Sequence, residues 1–274
     1  YLINIFEELG LKVRTDSIGN IFARYEGNTP NLPVVMTGSH IDSVKNGGRF
    51  DGIVGVVGAL EAVRVMIENH YKPNHPIEIA IFAEEEGSNF QVPVVGSKVL
   101  VGKLKIEDIK TIRNRKGQSV YDLVKAAGYT PDGIAEDLLK KGDIKAMIEL
   151  HIEQSLRLDK EGYTIGIVEG IAGLQWLKIT LKGCSNHAGA TPMHLRNDPM
   201  AAAGQIIAEI KNIARSMSNT TVATVGNIEV LPNIPNAIPE QVTFTVDIRD
   251  INQAGIDGVV EQINLITPKY ALEN

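Results

Sequence analysis

Cysteine is almost absent from this chain, with Cys184 the single one in 274 residues. One thiol excludes an internal disulfide and a zinc site closed by thiolates, and it fits a reducing compartment. The plainest reading of Cys184 itself is a small buried hydrophobe. Positive charge is also short, with 27 Lys and Arg against 33 Asp and Glu and a net charge of −6. No basic excess exists to neutralise a phosphate backbone, which argues against nucleic acid as a partner. No apolar run reaches the roughly 18 residues a membrane span needs, so no membrane association is expected. The opening residues lack a basic start followed by an apolar stretch, so no secretion signal is read and a cytoplasmic location is expected. No Gly-x-Ser-x-Gly elbow occurs, which sets aside a serine hydrolase.

What remains is ordinary globular material, 43% hydrophobic and 22% charged, long enough for one large or two medium domains. Residues 1–170 alternate apolar strands with helical patterns, the mark of an α/β layer with a largely parallel sheet. Residues 32–36 (LPVVM), 77–82 (IEIAIF) and 146–150 (AMIEL) read as strands, and residues 52–66 as a helix apolar on most of its faces. Residues 100–145 are polar and Lys-rich and read as helical excursions. From about residue 171 the texture changes to strand, helix, strand, strand, helix, at 174–181, 199–216, 221–230, 242–247 and from 251. That order predicts a small α+β sandwich with helices on one face of an antiparallel sheet. Both chain ends, at Tyr1 and Asn274, fall within helix-like patterns and read as those of a fragment or truncated form.

Four segments concentrate His, Asp and Glu: Gly38-Ser39-His40-Ile41-Asp42-Ser43, Gly47-Gly48-Arg49-Phe50-Asp51-Gly52, Glu84-Glu85-Glu86-Gly87-Ser88 and Glu149-Leu150-His151-Ile152-Glu153-Gln154. Three of them follow or overlap an apolar strand. Parallel strands share one carboxyl edge, where open α/β folds place their sites, so residues distant in sequence are expected to converge there. A lone His after a strand is ordinarily packing or surface, but the combination is not. Imidazole with carboxylate suits Zn, Mn, Co or Ni. Asp42, two residues beyond His40, projects to the same side of an extended chain and can accept the second ring N–H of His40. The Asp51 carboxylate has two oxygens and can bridge two cations. The run Glu84, Glu85, Glu86 is readable as a solvated loop. It nevertheless follows an apolar strand, so one Glu can bind metal while a neighbour takes a proton from water. Spacing alone leaves open which two of the three serve. Gly52, Gly55 and Gly58 are spaced wrongly for a dinucleotide loop and read instead as close helix–sheet packing.

The segments GSHIDS, GGRFDG, EEGS-x-F, HIEQ and NHAGATPM resemble the amidase, hydantoinase/carbamoylase family. That family includes N-carbamoyl-L-amino-acid hydrolases and allantoate amidohydrolases, and lies within the wider aminoacylase and carboxypeptidase-like superfamily of two-metal hydrolases. The resemblance covers nearly the whole chain. It implies a phosphorylase/hydrolase-like catalytic α/β domain over residues 1–170, with a mixed, largely parallel sheet flanked by helices, and an inserted α+β lid and dimerisation domain over 171–274. It also implies two divalent ions per subunit, with His40 and His151 on one, Glu86 on the other and Asp51 between them. Glu85 becomes the general base and Asp42 the orienter of His40. His187, in Asn186-His187-Ala188-Gly189, becomes the oxyanion support, delivered to the cleft of a partner subunit in a homodimer. Asn236 and Arg249 become substrate clamps, Arg because its planar fork grips a carboxylate, and Gln154 a further substrate contact. A His at position 151, where peptidase branches carry a carboxylate, implies a small carbamoyl or ureido substrate. Two positions depart from the family's pattern, Asn89 in place of Arg and Ser155 in place of Gly. The family's late His ligand is missing, since the last of the six His is His194. The alternatives are a two-metal peptidase or aminoacylase and an inactive fragment that only dimerises.

Overall fold

The computed structural model describes all residues, Tyr1–Asn274, and divides into two compact units, Tyr1–Thr164 and Ile165–Asn274. No helix is long and apolar enough to cross a membrane.

The first unit runs α1 (Leu2–Glu8), β1 (Lys12–Thr15), β2 (Ile21–Tyr25), β3 (Val34–His40), α2 (Ile53–Glu68) and β4 (Ile77–Phe82). It continues through α3 (Val95–Leu100), α4 (Ile106–Thr111), α5 (Val120–Ala126), β5 (Ile144–Ile148) and α6 (Arg157–Glu161). The sheet order is β1-β2-β4-β3-β5. Its β4, β3 and β5 strands are parallel, whereas β1 and β2 run antiparallel at one edge. It is therefore a mixed α/β sheet flanked by helices, and its parallel part carries the charged segments singled out above. Strand β3 begins after Pro33, whose missing N–H cannot join a ladder, and extends through His40. The strand therefore lies slightly later than residues 32–36.

Helix α2 buries one stripe, Gly55, Val56, Ala59 and Val63, against the sheet. The expectation that it is buried on most faces is corrected, because Val57 and Val65 are 49% and 44% exposed. Glycine explains how closely the buried stripe approaches. A Cβ at Gly55 would sit 2.4 Å from the Leu150 carbonyl oxygen, and one at Gly58 would sit 2.8 Å from Leu150 Cδ2. The Gly52/Gly55/Gly58 pattern is thus a packing device, as read.

The second unit holds β6 (Gly173–Lys182), β7 (Asn186–His187), α7 (Pro199–Met217), β8 (Val222–Leu231), β9 (Ala237–Ile238), β10 (Gln241–Asp250) and α8 (Gln253–Glu273). Strand β10 is central and antiparallel to both β6 and β8. Its alternate residues Val242, Phe244, Val246 and Ile248 are fully buried, and they pack with Ile206 and Ile210 of α7 and Ile256, Val259 and Ile263 of α8. Each such side chain contributes roughly 1.5–3 kcal/mol when buried. Helix α7 starts where Asp198 caps the Met200 and Ala201 N–H groups and Pro199 occupies the first turn. At the far end of β10, Asp250 accepts hydrogen bonds from Thr221, Thr220, Ser218 and the Asn252 N–H, which lower its pKa to about 2. Cys184 is exposed, not buried as its composition suggested. It lies just beyond β6, where the chain has left the sheet.

Candidate metal centre

His40 ends β3, and a glycine-framed turn carries Asp51 to the start of α2. Gly52 has φ +68°, and a Cβ there would strike the His40 ring at 2.5 Å, so only glycine lets the helix start against that imidazole. His151 follows β5. The ligand atoms of His40, Asp51 and His151 lie within 4.8 Å of one another, buried, half-buried and exposed in that order.

Hydrogen bonds set which nitrogens face the cluster. His40 Nδ1 lies 2.9 Å from the Asp42 carbonyl oxygen and His151 Nδ1 2.9 Å from the Ile152 carbonyl oxygen. A carbonyl only accepts, so each Nδ1 donates and each Nε2 is turned to the cluster. His151 Nε2 is 3.3 Å from Asp51 Oδ1, and His40 Nε2 is 3.5 Å from Glu85 Oε2. Three buried carboxylate oxygens, Asp42 Oδ1, Asp51 Oδ1 and Glu86 Oε1, accept no hydrogen bond at all. Buried anionic oxygens without donors are costly unless a cation meets them. Two neutral imidazole nitrogens beside such oxygens form a donor set suited to a divalent transition ion. The residues present therefore fit a metal.

The other expected residues fall as follows. Asp42 does face His40, but the nearer acceptor is its backbone carbonyl, with the carboxylate Oδ1 at 3.6 Å. Its Oδ2 instead accepts the Glu86 N–H at 3.0 Å, which ties the acidic run to the β3 end. Glu86 is not among the three clustered ligands. Burial pushes the Glu85 carboxyl above its usual range, His40 opposes this, and the Glu86, Asp42 and Glu149 carboxylates reinforce it. Bound cations would act in the lowering direction. Gln154 donates to Asp51 Oδ2 at 2.7 Å. It thus touches a candidate ligand.

In the second unit, β7 and β9 pair so that His187 lies opposite Ala237, and the Ala188 N–H reaches the Asn236 carbonyl. His187 and Asn236 are thereby neighbours. The Gly189 N–H donates to His187 Nδ1 at 3.1 Å, so a neutral ring carries its proton on Nε2, where it can donate outward. The Arg249 fork is held by Asp247 at 2.8 and 3.0 Å, and Asp247 also accepts from Trp176. A substrate carboxylate at Arg249 therefore meets an already paired guanidinium.

Two shallow cavities of about 380 and 420 Å³ lie among Arg14, Arg24, Asn31 and Glu78, at the amino end of the parallel strands. They contain none of the candidate ligands. The His40/Asp51/His151 cluster lies at the opposite, carboxyl edge.

Sequence reading missed two groups that support this edge. Ser39 donates to Glu149. Asn20, fully buried, accepts the Ala83 N–H and donates to the Gly96 carbonyl. Its signal was the short Asp16-Ser17-Ile18-Gly19-Asn20 turn, which reads like any surface loop.

A mixed α/β unit with a His/Asp/His cluster at its parallel edge, in one chain with an α+β unit of two helices on a three-stranded sheet, defines a two-unit protein with a metal-ready centre. Residues 36–256 match the model of peptidase family M20/M25/M40, and the chain belongs to that family. It is 46% identical over 266 residues to an N-carbamoyl-L-amino acid amidohydrolase of Geobacillus stearothermophilus, covering 97% of this chain and 64% of that protein. It is 38% identical over 254 residues to the allantoate amidohydrolase of Escherichia coli, covering 93% of this chain and 61% of that one. A crystal structure of a hydantoinase/carbamoylase-family amidase from Burkholderia multivorans superposes with TM-score 0.85 at 34% identity, over 99% of this chain and 65% of the other. The chain thus spans somewhat under two thirds of the length of these relatives.

Proposed function

We propose that the protein hydrolyses the carbamoyl or ureido C–N bond of an N-carbamoyl-L-amino acid or of allantoate. The observation that carries this reading is the convergence of His40, Asp51 and His151 beside Glu85. His40 and His151 would hold one divalent ion, Glu86 a second, and Asp51 both, the ions being Zn, Mn, Co or Ni. When bound, such ions supply a Lewis acid and acidify water. Glu85 takes the proton of the attacking water and returns it to the leaving nitrogen. Standing 3.5 Å from His40 Nε2, its carboxyl is placed for both steps. His187 donates Nε2–H to the developing oxyanion, reaching the cleft of a partner subunit in a homodimer. Asn236 and Arg249 hold the substrate's amide and carboxylate, with Gln154 contributing from beside Asp51. The second unit then serves as lid and dimerisation domain.

The family's description as peptidases favours a second reading, hydrolysis of a peptide or N-acyl amide by the same centre. A substrate panel on the metal-loaded protein separates the two. The expected result is kcat/KM for an N-carbamoyl-L-amino acid or allantoate at least about 100-fold above that for N-acetyl amino acids and dipeptides, since a site built to bond a terminal ureido NH₂ leaves polar groups unpaired otherwise. Preference for dipeptides or N-acetyl amino acids would transfer the assignment to the second reading. Turnover of neither class would leave a dimerising remnant.

A further inference from the structure

The third carboxylate of the acidic run turns back onto its own loop. Glu84 Oε1 accepts the backbone N–H groups of Asn89 at 3.0 Å and Phe90 at 3.3 Å. That loop is strained, with Glu84, Gln91 and Val94 at φ 50°, 58° and 53°. Left-handed backbone is disfavoured for non-glycine residues, and a β-branched one such as Val94 is a genuine outlier. Such a conformation persists only when its surroundings over-determine it.

Two polar anchors do so here. At the base, Ala83 and Gly96 bond each other, and Asn20 bridges both, accepting from the Ala83 N–H at 2.8 Å and donating to the Gly96 carbonyl at 3.2 Å. Asp16 orients Asn20 by accepting its amide and its backbone N–H. A Cβ on Gly96 would lie 2.2 Å from Asn20 Oδ1, so the fit requires glycine. At the crown, the Glu84 carboxylate alone among the acidic run's side chains gathers backbone donors, while the Glu84 and Glu85 carbonyls accept the Val95 and Val94 N–H groups. Between the anchors lie Glu85, facing His40, and Glu86, tied to Asp42.

We propose that Glu84 is a positioning residue, whose carboxylate braces the residue 83–96 loop and thereby fixes where Glu85 and Glu86 stand. The proposal rests on the reading that Glu85 and Glu86 serve hydrolysis and metal binding. What matters is the reach of an oxygen to two N–H groups, not the negative charge. Glu84→Gln retains reach without charge, and Glu84→Asp retains charge without reach. Both variants are to be made in the full-length enzyme and assayed for kcat and KM, for Mn²⁺ affinity of the metal-free form by calorimetry, and for Tm.

Glu84→Asp is expected to lose about 10–100-fold in kcat and about tenfold in Mn²⁺ affinity, with KM within about threefold. Glu84→Gln is expected to stay within about threefold of the parent in all three. If Gln proves as damaging as Asp, the charge of Glu84 itself acts and the proposal is overturned. It is equally overturned if Asp lowers Tm alone, with kcat and Mn²⁺ affinity unmoved. Glu85→Gln measured alongside separates the two layers. Were it active, the assignment of Glu85 as base would fail, while the Mn²⁺ affinities of the Glu84 variants would still decide the positioning role.

Discussion

Glu85→Gln is expected to lower kcat at least about 10³-fold while the protein keeps its metal content. The substitution preserves size and removes only the ability to hold a proton. Glu85 belongs to none of the three clustered ligands, and its carboxylate is placed 3.5 Å from His40 Nε2. A general base removed in this way costs about 10²–10⁴ in rate, and in the proposed mechanism the same group also protonates the leaving nitrogen. Activity within about tenfold of the parent would take the proton-transfer role from Glu85. Metal content distinguishes the outcomes, because loss of metal as well as rate would make Glu85 a ligand instead.

The second large effect concerns the fold beneath the site. Gly38, two residues before His40, has φ +133°, and a Cβ there would sit 2.0 Å from the Ala80 carbonyl oxygen. Gly38 and Ala80 are direct partners in the parallel β3–β4 ladder, so neither backbone can withdraw without breaking hydrogen bonds on both sides. Gly38→Ala is therefore expected to destabilise the first unit by about 4 kcal/mol or more, from steric overlap combined with a disallowed φ. Gly204→Ala supplies the contrast, since it lies inside α7 with nothing near its Cβ position. It is expected to gain roughly 0.5–1 kcal/mol from helix propensity. Thermal or urea unfolding measures both, and a Gly38→Ala protein as stable as the parent would refute the close-approach argument.

Much of the architecture was legible in the chain because burial and periodicity speak together. Residues 77–82 form the strand expected of them, since an apolar run broken only by Glu78 fits a covered central strand. The second unit's order of elements was readable from the alternation in β10 and the capped start of α7. Strands β1 and β2 were not read. They are short, and Lys12, Arg14 and Arg24 interrupt the apolar pattern by serving an ion-paired outer face. Helix α2 misled in the other direction, because Val57 and Val65 are apolar yet exposed.

At the site, convergence of His40, Asp51 and His151 followed from where strands end, which is a topological fact and survives errors of two residues in strand limits. The division of labour within Glu84, Glu85 and Glu86 did not follow from spacing. Three identical side chains in a row differ only through the backbone turn they enter, and φ 50° at Glu84 is invisible in the letters. The Asp42 carbonyl as the partner of His40 was likewise beyond reach, since every residue has a carbonyl. Buried Asn20 was missed because a polar residue in a turn ordinarily faces water.

Hydrolysis at this centre requires a cation among His40, Asp51 and His151. Diffraction from crystals of the full-length protein soaked in Mn²⁺, collected at the manganese absorption edge, tests it most directly. The expected result is an anomalous peak about 2.0–2.3 Å from His40 Nε2, His151 Nε2 and an Asp51 carboxylate oxygen. Occupied Mn²⁺ sites elsewhere in the molecule, with no peak among those three side chains, would contradict it.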